Sequence, residues 1–454
     1  MTDPIMLGLT GLAALLGLIM LRMPVAYAMI LVGGIGTAII VPNGGAMLLN
    51  QLKTLAYGRF SVYDLAVIPM FLLMGALATR AGLSRALFRA ANAWFGRFRG
   101  GTAMAAVAAC AGFGALSGSS LATASTMGRV ALPELRRMRY SGALATGTLA
   151  AGGVLGILIP PSVVLIVYAV LVEANIVTMF VAAVVPGLLA VVFFMLTIAV
   201  YVAIFPNSGP AAGPADRAEF RAANLAVIPV VAIFALVLGG IYAGFFNPTP
   251  AAAVGVFLVW LYGLAHRRLS WQDMRTALFE TASMTGMIYL ILLGAELMKI
   301  FLARARLPQV TADWIAGTGL EPFTVLLILL AALILLGCLM DSLSMILLVI
   351  PFFWPVLVAL NGGPFQGAEG SGFGMSTDDL KIWFGILALV VVELGLITPP
   401  VGMNVFVISA FAKDVPMSQT FRGVAPFFGA ELLRVGLILF FPVIVLWLPA
   451  FWAY

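Results

Sequence analysis

Charge is scarce in this sequence. Of 454 residues, 9% are Asp, Glu, Lys or Arg, while 63% are hydrophobic. A soluble domain carries about one quarter charged residues, so a soluble enzyme and a nucleic-acid binder are both excluded. A disordered chain is excluded too, because disorder needs low hydrophobicity and high charge. Histidine is nearly absent. The single one, His266, lies in the basic run His266-Arg267-Arg268 and reads as a solvated loop residue. Without a second histidine there is neither a paired-histidine zinc site nor a Ser-His relay, and no catalytic residue is expected. The two cysteines, Cys110 and Cys338, each sit inside an apolar run, which speaks against a disulfide framework or a cysteine metal site. A basic leader is missing as well. Asp3 precedes the first apolar run and the first arginine, Arg22, follows it, which predicts an uncleaved first span with an outer N-terminus.

What is present is a series of long apolar runs, at 5–21, 23–40, 61–79, 102–133, 142–175, 177–205, 224–244, 251–265, 276–300, 322–360, 380–412 and 424–452. A membrane-crossing helix needs about 20 residues. Four runs are too long for one such crossing: 102–133, 142–175, 322–360 and 380–412. The arginines interpret the first of these. Arg80, Arg85, Arg89, Arg97 and Arg99 precede 102–133, and Arg129, Arg136, Arg137 and Arg139 close it. Both clusters belong on the cytoplasmic side, so the run between them enters and leaves on one side. Its 32 residues give about 48 Å of helix, short of two crossings of ~30 Å. The run is therefore read as a re-entrant hairpin with the small polar tip Ser117-Gly118-Ser119-Ser120.

Threading the rest alternately predicts ten spans and two hairpins with both termini outside. Seventeen basic residues then lie inside and six outside (Lys53, Arg59, Lys299, Arg304, Arg306 and Lys381), with Arg434 in the last span. The loop 361–379 carries Glu369, Asp378 and Asp379 and, before Lys381, no basic residue, as an outer loop should. Amphipathic arms are expected at 80–101 and 301–320, with Trp94 and Trp314 at headgroup level.

The chain repeats itself. Leu155-Gly156-Ile157-Leu158-Ile159-Pro160-Pro161 recurs as Leu394-Gly395-Leu396-Ile397-Thr398-Pro399-Pro400. A polar tip precedes each copy, 117–120 in the first half and Asp341-Ser342-Leu343-Ser344 in the second. Under the predicted topology the halves enter from opposite sides, which makes an inverted repeat and points to a secondary transporter. The predicted fold is thus an all-α polytopic membrane protein with about five spans per repeat, two re-entrant hairpins and two Pro-Pro-broken helices. The first repeat covers 1–205, a cytoplasmic linker 206–223, and the second repeat 224–454.

A helix broken at mid-membrane leaves unpaired N–H groups on one side of the break and unpaired carbonyls on the other. Proline enforces such a break and glycine lets backbone approach closely. Around the breaks stand hydroxyl, amide and carboxyl groups. In the first half these are Ser117, Ser119, Ser120, Thr123 and Ser162, with Gly118, Gly156, Pro160 and Pro161. In the second they are Asp341, Ser342, Ser344, Glu393, Thr398 and Asn404, with Gly395, Pro399, Pro400 and Gly402. Hard oxygens of this kind suit a sodium ion, and acidic residues inside spans are functional candidates. Ser119, Ser120, Asp341, Ser344 and Thr398 are the expected sodium ligands, Glu393 a cation ligand or a tie between helix ends. The simpler alternative for the hydroxyls is packing or bonding to their own helix. The pairs Glu296/Lys299 and Glu431/Arg434 read as structural.

The run Ser117-Gly118-Ser119-Ser120-Leu121-Ala122-Thr123-Ala124, then Leu132-Pro133-Glu134 and Ala151 to Ser162, with Met340-Asp341 and Glu393 to Asn404, resembles the large membrane subunit of tripartite ATP-independent periplasmic (TRAP) transporters, in order from about residue 5 to 450. The resemblance implies a sodium-driven, elevator-type importer in the bacterial inner membrane. It implies two partners, a small four-helix membrane subunit and a periplasmic substrate-binding protein, and organic-acid substrates such as dicarboxylates, keto acids or sialic acids. Sodium is the coupling ion and no cofactor is implied. One departure is the glycine-rich stretch Asn361 to Thr377, longer than the family's usual link and on the face where a binding protein would dock. A stand-alone sodium/carboxylate or oxyanion carrier is the alternative function. An intramembrane enzyme has no supporting motif.

Overall fold

The structure is a computed structural model that describes residues 4–21, 23–41 and 44–452, without the side chains of 44, 47, 51, 59, 312–316 and 318. Arg22 and the side chains of Arg59 and Trp314, which carry part of the orientation and interface expectations, lie outside the described residues.

The described chain is helical, with no strand among the described residues. It opens with α1 (Pro4–Met20), α2 (Val25–Ile40), α3 (Gly44–Phe60), α4 (Val67–Arg80) and the arm α5 (Leu83–Phe95). The first polar tip separates α6 (Gly101–Ser117) from α7 (Ser120–Arg137), and the first proline pair separates α8 (Gly142–Leu158) from α9 (Val163–Val172). Then come α10 (Ile176–Ile204), α11 (Arg217–Tyr242), α12 (Pro248–Ala265), α13 (Trp271–Arg304) and α14 (Leu307–Thr318). The second tip divides α15 (Pro322–Gly337) from α16 (Ser342–Asn361), and the second proline pair divides α17 (Thr377–Gly395) from α18 (Met403–Phe411). The chain ends with α19 (Met417–Phe440) and α20 (Val443–Trp452).

A helix that is apolar all round belongs in the interior. Every residue of α8 from Leu144 to Leu158 is buried, as is every residue of α17 from Trp383 to Gly395. The two helices that lead into the proline pairs are therefore the core. Around α8 pack α6, α7 and α19, and around α17 pack α15, α10 and α19. A second layer joins α13 to α2 and α4 to α12. On α10, Leu188, Val192, Leu196, Val200 and Ile204 form a stripe at four-residue spacing that is half-exposed or more. Such a continuous apolar stripe requires a nonaqueous cover, and lipid supplies it.

Among the described residues, seven helices are long and apolar enough to cross a bilayer, or eight if the bent pair α8–α9 counts as one span. The first two apolar runs form helices of 17 and 16 residues. Three details differ from the sequence expectation. Residues 44–60 form α3, although Asn50, Gln51, Lys53 and Arg59 lower their hydropathy below that of a span. The expected final span 424–452 is two helices, interrupted at Phe441 and Pro442, because proline offers no N–H to continue the ladder. Helix α16, assigned to a hairpin, has 20 residues and is itself long enough to cross.

Candidate functional site between the two tips

At the first tip, α6 ends at Ser117 and Gly118 takes a left-handed conformation with φ +59°, which glycine adopts without steric cost. The chain thereby turns so that α7 packs back against α6. Ser119 caps α7 by accepting the N–H of Ala122 at 3.4 Å. Behind the tip, the Ser117 and Thr123 hydroxyls lie 2.9 Å apart. At the second tip, Asp341 takes the corresponding place and caps α16 by accepting the N–H of Ser344 at 3.0 Å.

The two breaks behind the tips are alike in sequence and unlike in surroundings. Both Pro160-Pro161 and Pro399-Pro400 are cis. At the first, the axis bends by 44° between α8 and α9, and Ser162 caps α9 by accepting from the Leu165 N–H at 3.3 Å. At the second, Gly402 (φ +59°) precedes α18, and the Thr398 hydroxyl, just past the end of α17, donates back to Leu394 O, 2.6 Å away. Pro160 and Pro161 are buried, whereas Pro399 and Pro400 are exposed. Asn404 ties the second break to the first half: its amide donates to Ala150 O at 3.3 Å, and its Oδ1 is buried without a partner.

Close packing brings each tip onto its break. A Cβ on Gly156 would lie 2.6 Å from the Ser119 carbonyl oxygen, and a Cβ on Gly395 would lie 2.6 Å from Gly337 Cα at the end of α15. Only glycine permits both approaches. At the centre stands Glu393, fully buried in the last turn of α17. Its Oε2 accepts the Ser120 hydroxyl at 2.5 Å and its Oε1 accepts the Ser342 hydroxyl at 2.6 Å. One carboxylate thus joins both tips.

In front of the tips lies a cavity of about 610 Å³, within the size range of small-molecule sites. Gly118, Ser119, Ser120, Asp341 and Ser342 line its polar side, facing Met284 and Met287 of α13. A second space of about 250 Å³ shares Ser119, Ala122 and Ser125 with it and ends at Arg80, Arg129 and Glu280. Arg80 donates to Glu280 at 2.7 Å. Along α7, positions 119, 122, 125 and 129 recur at three- and four-residue spacing and so share a face.

The predicted residues divide into two layers. Of the five expected sodium ligands, Ser119, Ser120 and Asp341 reach the cavity wall. Ser344 is buried behind Asp341, and the Thr398 hydroxyl bonds back to Leu394 O at the end of α17. Thr123, Gly156, Ser162, Glu393, Gly395 and Asn404 form the layer behind. The polar side of the cavity is thus made of neutral hydroxyls and one carboxylate, while the orphaned Asn404 Oδ1 lies in the layer behind. Among the described residues no cluster of three His, Cys, Asp or Glu side chains is poised for a metal. Sequence reasoning missed Arg80, Arg129, Glu280 and the α13 methionines. The α7 periodicity could have singled out Arg129. Nothing local distinguishes Met284 or Met287. Glu431 and Arg434, read as a structural pair, form an ion pair wholly within the core, and Arg434 also donates to Pro186 O at 3.1 Å.

The chain matches, over residues 12–444, the family described as tripartite ATP-independent periplasmic transporter, DctM component. It is 35% identical over 404 residues to the C4-dicarboxylate TRAP transporter large permease protein DctM of Pseudomonas aeruginosa, covering 88% of this chain and 90% of that one. To the protein of the same name from Vibrio cholerae it is 30% identical, covering 96% and 95%. To the sialic acid TRAP transporter large permease protein SiaM of Vibrio cholerae it is 29% identical, with 96% of each covered. The crystal structure of the Alcanivorax borkumensis YdaH transporter shares the fold, with a TM-score of 0.65, 13% identity and 99% of each chain covered. A multi-pass helical chain with its polar groups gathered at two interrupted tips, and with these relatives along nearly its whole length, belongs to the DctM-component family of tripartite ATP-independent periplasmic transporters.

Proposed function

We propose that this chain is the large permease subunit of a sodium-coupled, binding-protein-dependent importer of small organic acids in the bacterial inner membrane. The observation that carries the reading is the cavity of about 610 Å³ walled by both tips. Ser119, Ser120 and Asp341 offer oxygens for sodium, and relatives named for C4-dicarboxylate and for sialic acid transport support an organic-acid substrate. The partners are a small four-helix membrane subunit and a periplasmic binding protein, as tripartite assembly requires.

The halves 1–205 and 224–454 form an inverted repeat joined by the linker 206–223. Its support is pairwise. Ser119 and Asp341 cap α7 and α16, Ser120 and Ser342 meet one carboxylate, and Gly156 and Gly395 each admit a tip. The tip-bearing pairs α6–α7 and α15–α16 are the re-entrant hairpins. With the arginine-rich ends of α5 and α7 in the cytoplasm, both termini are periplasmic. The passage from the cavity to Arg80 and Arg129 then leads inward, so this is the inward-open arrangement. In an elevator mechanism the tips, α8 and α17 move as one body against the layer of α2, α4, α12 and α13, carrying sodium and substrate together.

Proteoliposomes holding the permease, small subunit and binding protein test this. Uptake should collapse when choline replaces sodium. Equal uptake on a proton gradient alone would overturn sodium coupling, and full uptake without the two partners would favour a stand-alone carrier.

A further inference from the structure

We infer that Glu393 is a positioning residue that fixes the polarity of both hairpin tips: by accepting the hydroxyl protons of Ser120 and Ser342 it turns the free lone pairs of both oxygens toward the cavity, so that the tips meet their ligand as acceptors. This rests on the sodium-coupled reading above and deepens it.

A serine hydroxyl has one proton and two lone pairs. At both tips the proton is engaged by the same fully buried carboxylate, at 2.5 and 2.6 Å. Ser120 and Ser342 nevertheless line the cavity. What each hydroxyl can present there is a lone pair. An acceptor pair suits a bare cation and repels a substrate carboxylate. Both distances lie at the short end of the O–H···O range, so the orientation is firmly held.

The charge arrangement agrees. Glu393 is in no salt bridge among the described residues, and the nearby Arg434 is occupied by Glu431 and Pro186 O. A buried carboxylate without a cationic partner is costly. A sodium ion held by Ser120 and Ser342 would stand one hydroxyl away from Glu393 and compensate it. Glu393 would thus act through the serines and not as a direct ligand. Because one side chain serves both tips, loss of its orientation at one tip also loosens the other.

The test uses the permease purified with its small membrane subunit. Two quantities are read: the sodium concentration that half-maximally raises the melting temperature, and the sodium dependence of uptake in the reconstituted system. In Glu393→Gln the amide can accept from one serine but must donate to the other, whose proton then turns into the cavity. The half-point for sodium should rise on the order of tenfold in both readouts, as expected when one acceptor facing the ion is lost. The melting temperature in sodium-free buffer should change little. Ser120→Ala/Ser342→Ala, with the carboxylate kept, should raise the half-point by at least as much. Adding Glu393→Gln to that pair should shift it no further.

An unchanged half-point in Glu393→Gln, with only a lower sodium-free melting temperature, makes Glu393 merely structural and overturns the inference. A full further shift in the triple variant makes Glu393 a direct ligand and also overturns it. If Glu393→Gln does not fold, the serine pair decides: a wild-type half-point there refutes the inference. Failure of the sodium-coupled reading looks different, because then the wild-type protein itself shows no response to sodium.

Discussion

Replacing Gly156 with alanine places one methyl group where the first tip rests on the core. The new Cβ would lie 2.5 Å from the Thr123 hydroxyl oxygen, 2.6 Å from the Ser119 carbonyl oxygen and 3.0 Å from the Ser119 carbonyl carbon. Two of these atoms are backbone, so a rotamer change cannot relieve the contact. The tip has to lift off α8, and Ser119 and Ser120 lift with it. Overpacking of this kind costs roughly 1–3 kcal/mol, which is about a 5- to 150-fold loss of the arrangement in which the tip oxygens converge. Gly436→Ala in α19 is the matched control, since nothing lies within 4 Å of its would-be Cβ. There alanine should be neutral or stabilise the helix by up to about 1 kcal/mol. The assay is a sodium titration of uptake in proteoliposomes together with a thermal melt of the purified protein. Gly156→Ala should raise the half-maximal sodium concentration within that range and lower the melting temperature, and Gly436→Ala should do neither. Gly395→Ala, whose Cβ would press on Gly337 of α15, should reproduce the defect at the second tip. A wild-type sodium titration for Gly156→Ala would refute the idea that tight seating of the tip sets ion affinity.

Other expectations concern single contacts. Asp341→Asn and Ser119→Ala should each raise the sodium requirement on the order of 5- to 150-fold, equivalent to about 1–3 kcal/mol, with Asp341→Asn the more severe; binding-protein docking, followed by surface plasmon resonance, should be spared. Arg434→Leu strands Glu431 in the core and should destabilise by about 3–5 kcal/mol, whereas Glu431→Leu/Arg434→Leu together should recover most of the loss in a thermal melt. The loop after α16 is organised by buried Asn361, whose amide donates to Met375 O at 3.2 Å and to the Thr377 hydroxyl at 3.1 Å, and it presents Phe365 to solvent; deleting Gly363 to Gly374 should weaken docking and leave the sodium titration near normal. The Arg89 guanidinium grips Glu219 through two bonds of 2.6 Å and holds its carboxyl below the usual carboxylate range. This tie between α5 and α11 is therefore present above the ordinary carboxylate pKa and is lost as the pH falls through the lowered value, which spin labels on the two helices should register as a widening that Arg89→Gln shows already at neutral pH.

Much of this protein was legible locally. Scarce charge and long apolar runs dictate a membrane protein because lipid offers no partner to polar groups. The breaks fall where expected because proline lacks an N–H and glycine tolerates a positive φ. Ser119, Ser162 and Asp341 are helix caps because a short oxygen-bearing side chain reaches the third N–H of the helix that follows it. All of these are effects between residues a few positions apart, and a sequence displays them directly.

Only the tertiary structure decided which of these groups meet. Ser120 and Glu393 lie 273 positions apart, and their contact exists because α8 packs against both α7 and α17 and so brings the first tip to the end of α17. The cavity wall contributed by Met284 and Met287 depends on where α13 passes the tips, and an apolar methionine there looks like any lipid-facing one in sequence. The two proline pairs share a motif yet differ in exposure, because their neighbours differ. Glu431 and Arg434 are spaced like a surface pair and become a core pair only because α10 closes over α19 and brings Pro186 O within reach of Arg434. Periodicity fixes a helix and its breaks, whereas burial and long-range hydrogen bonding are properties of the packed assembly.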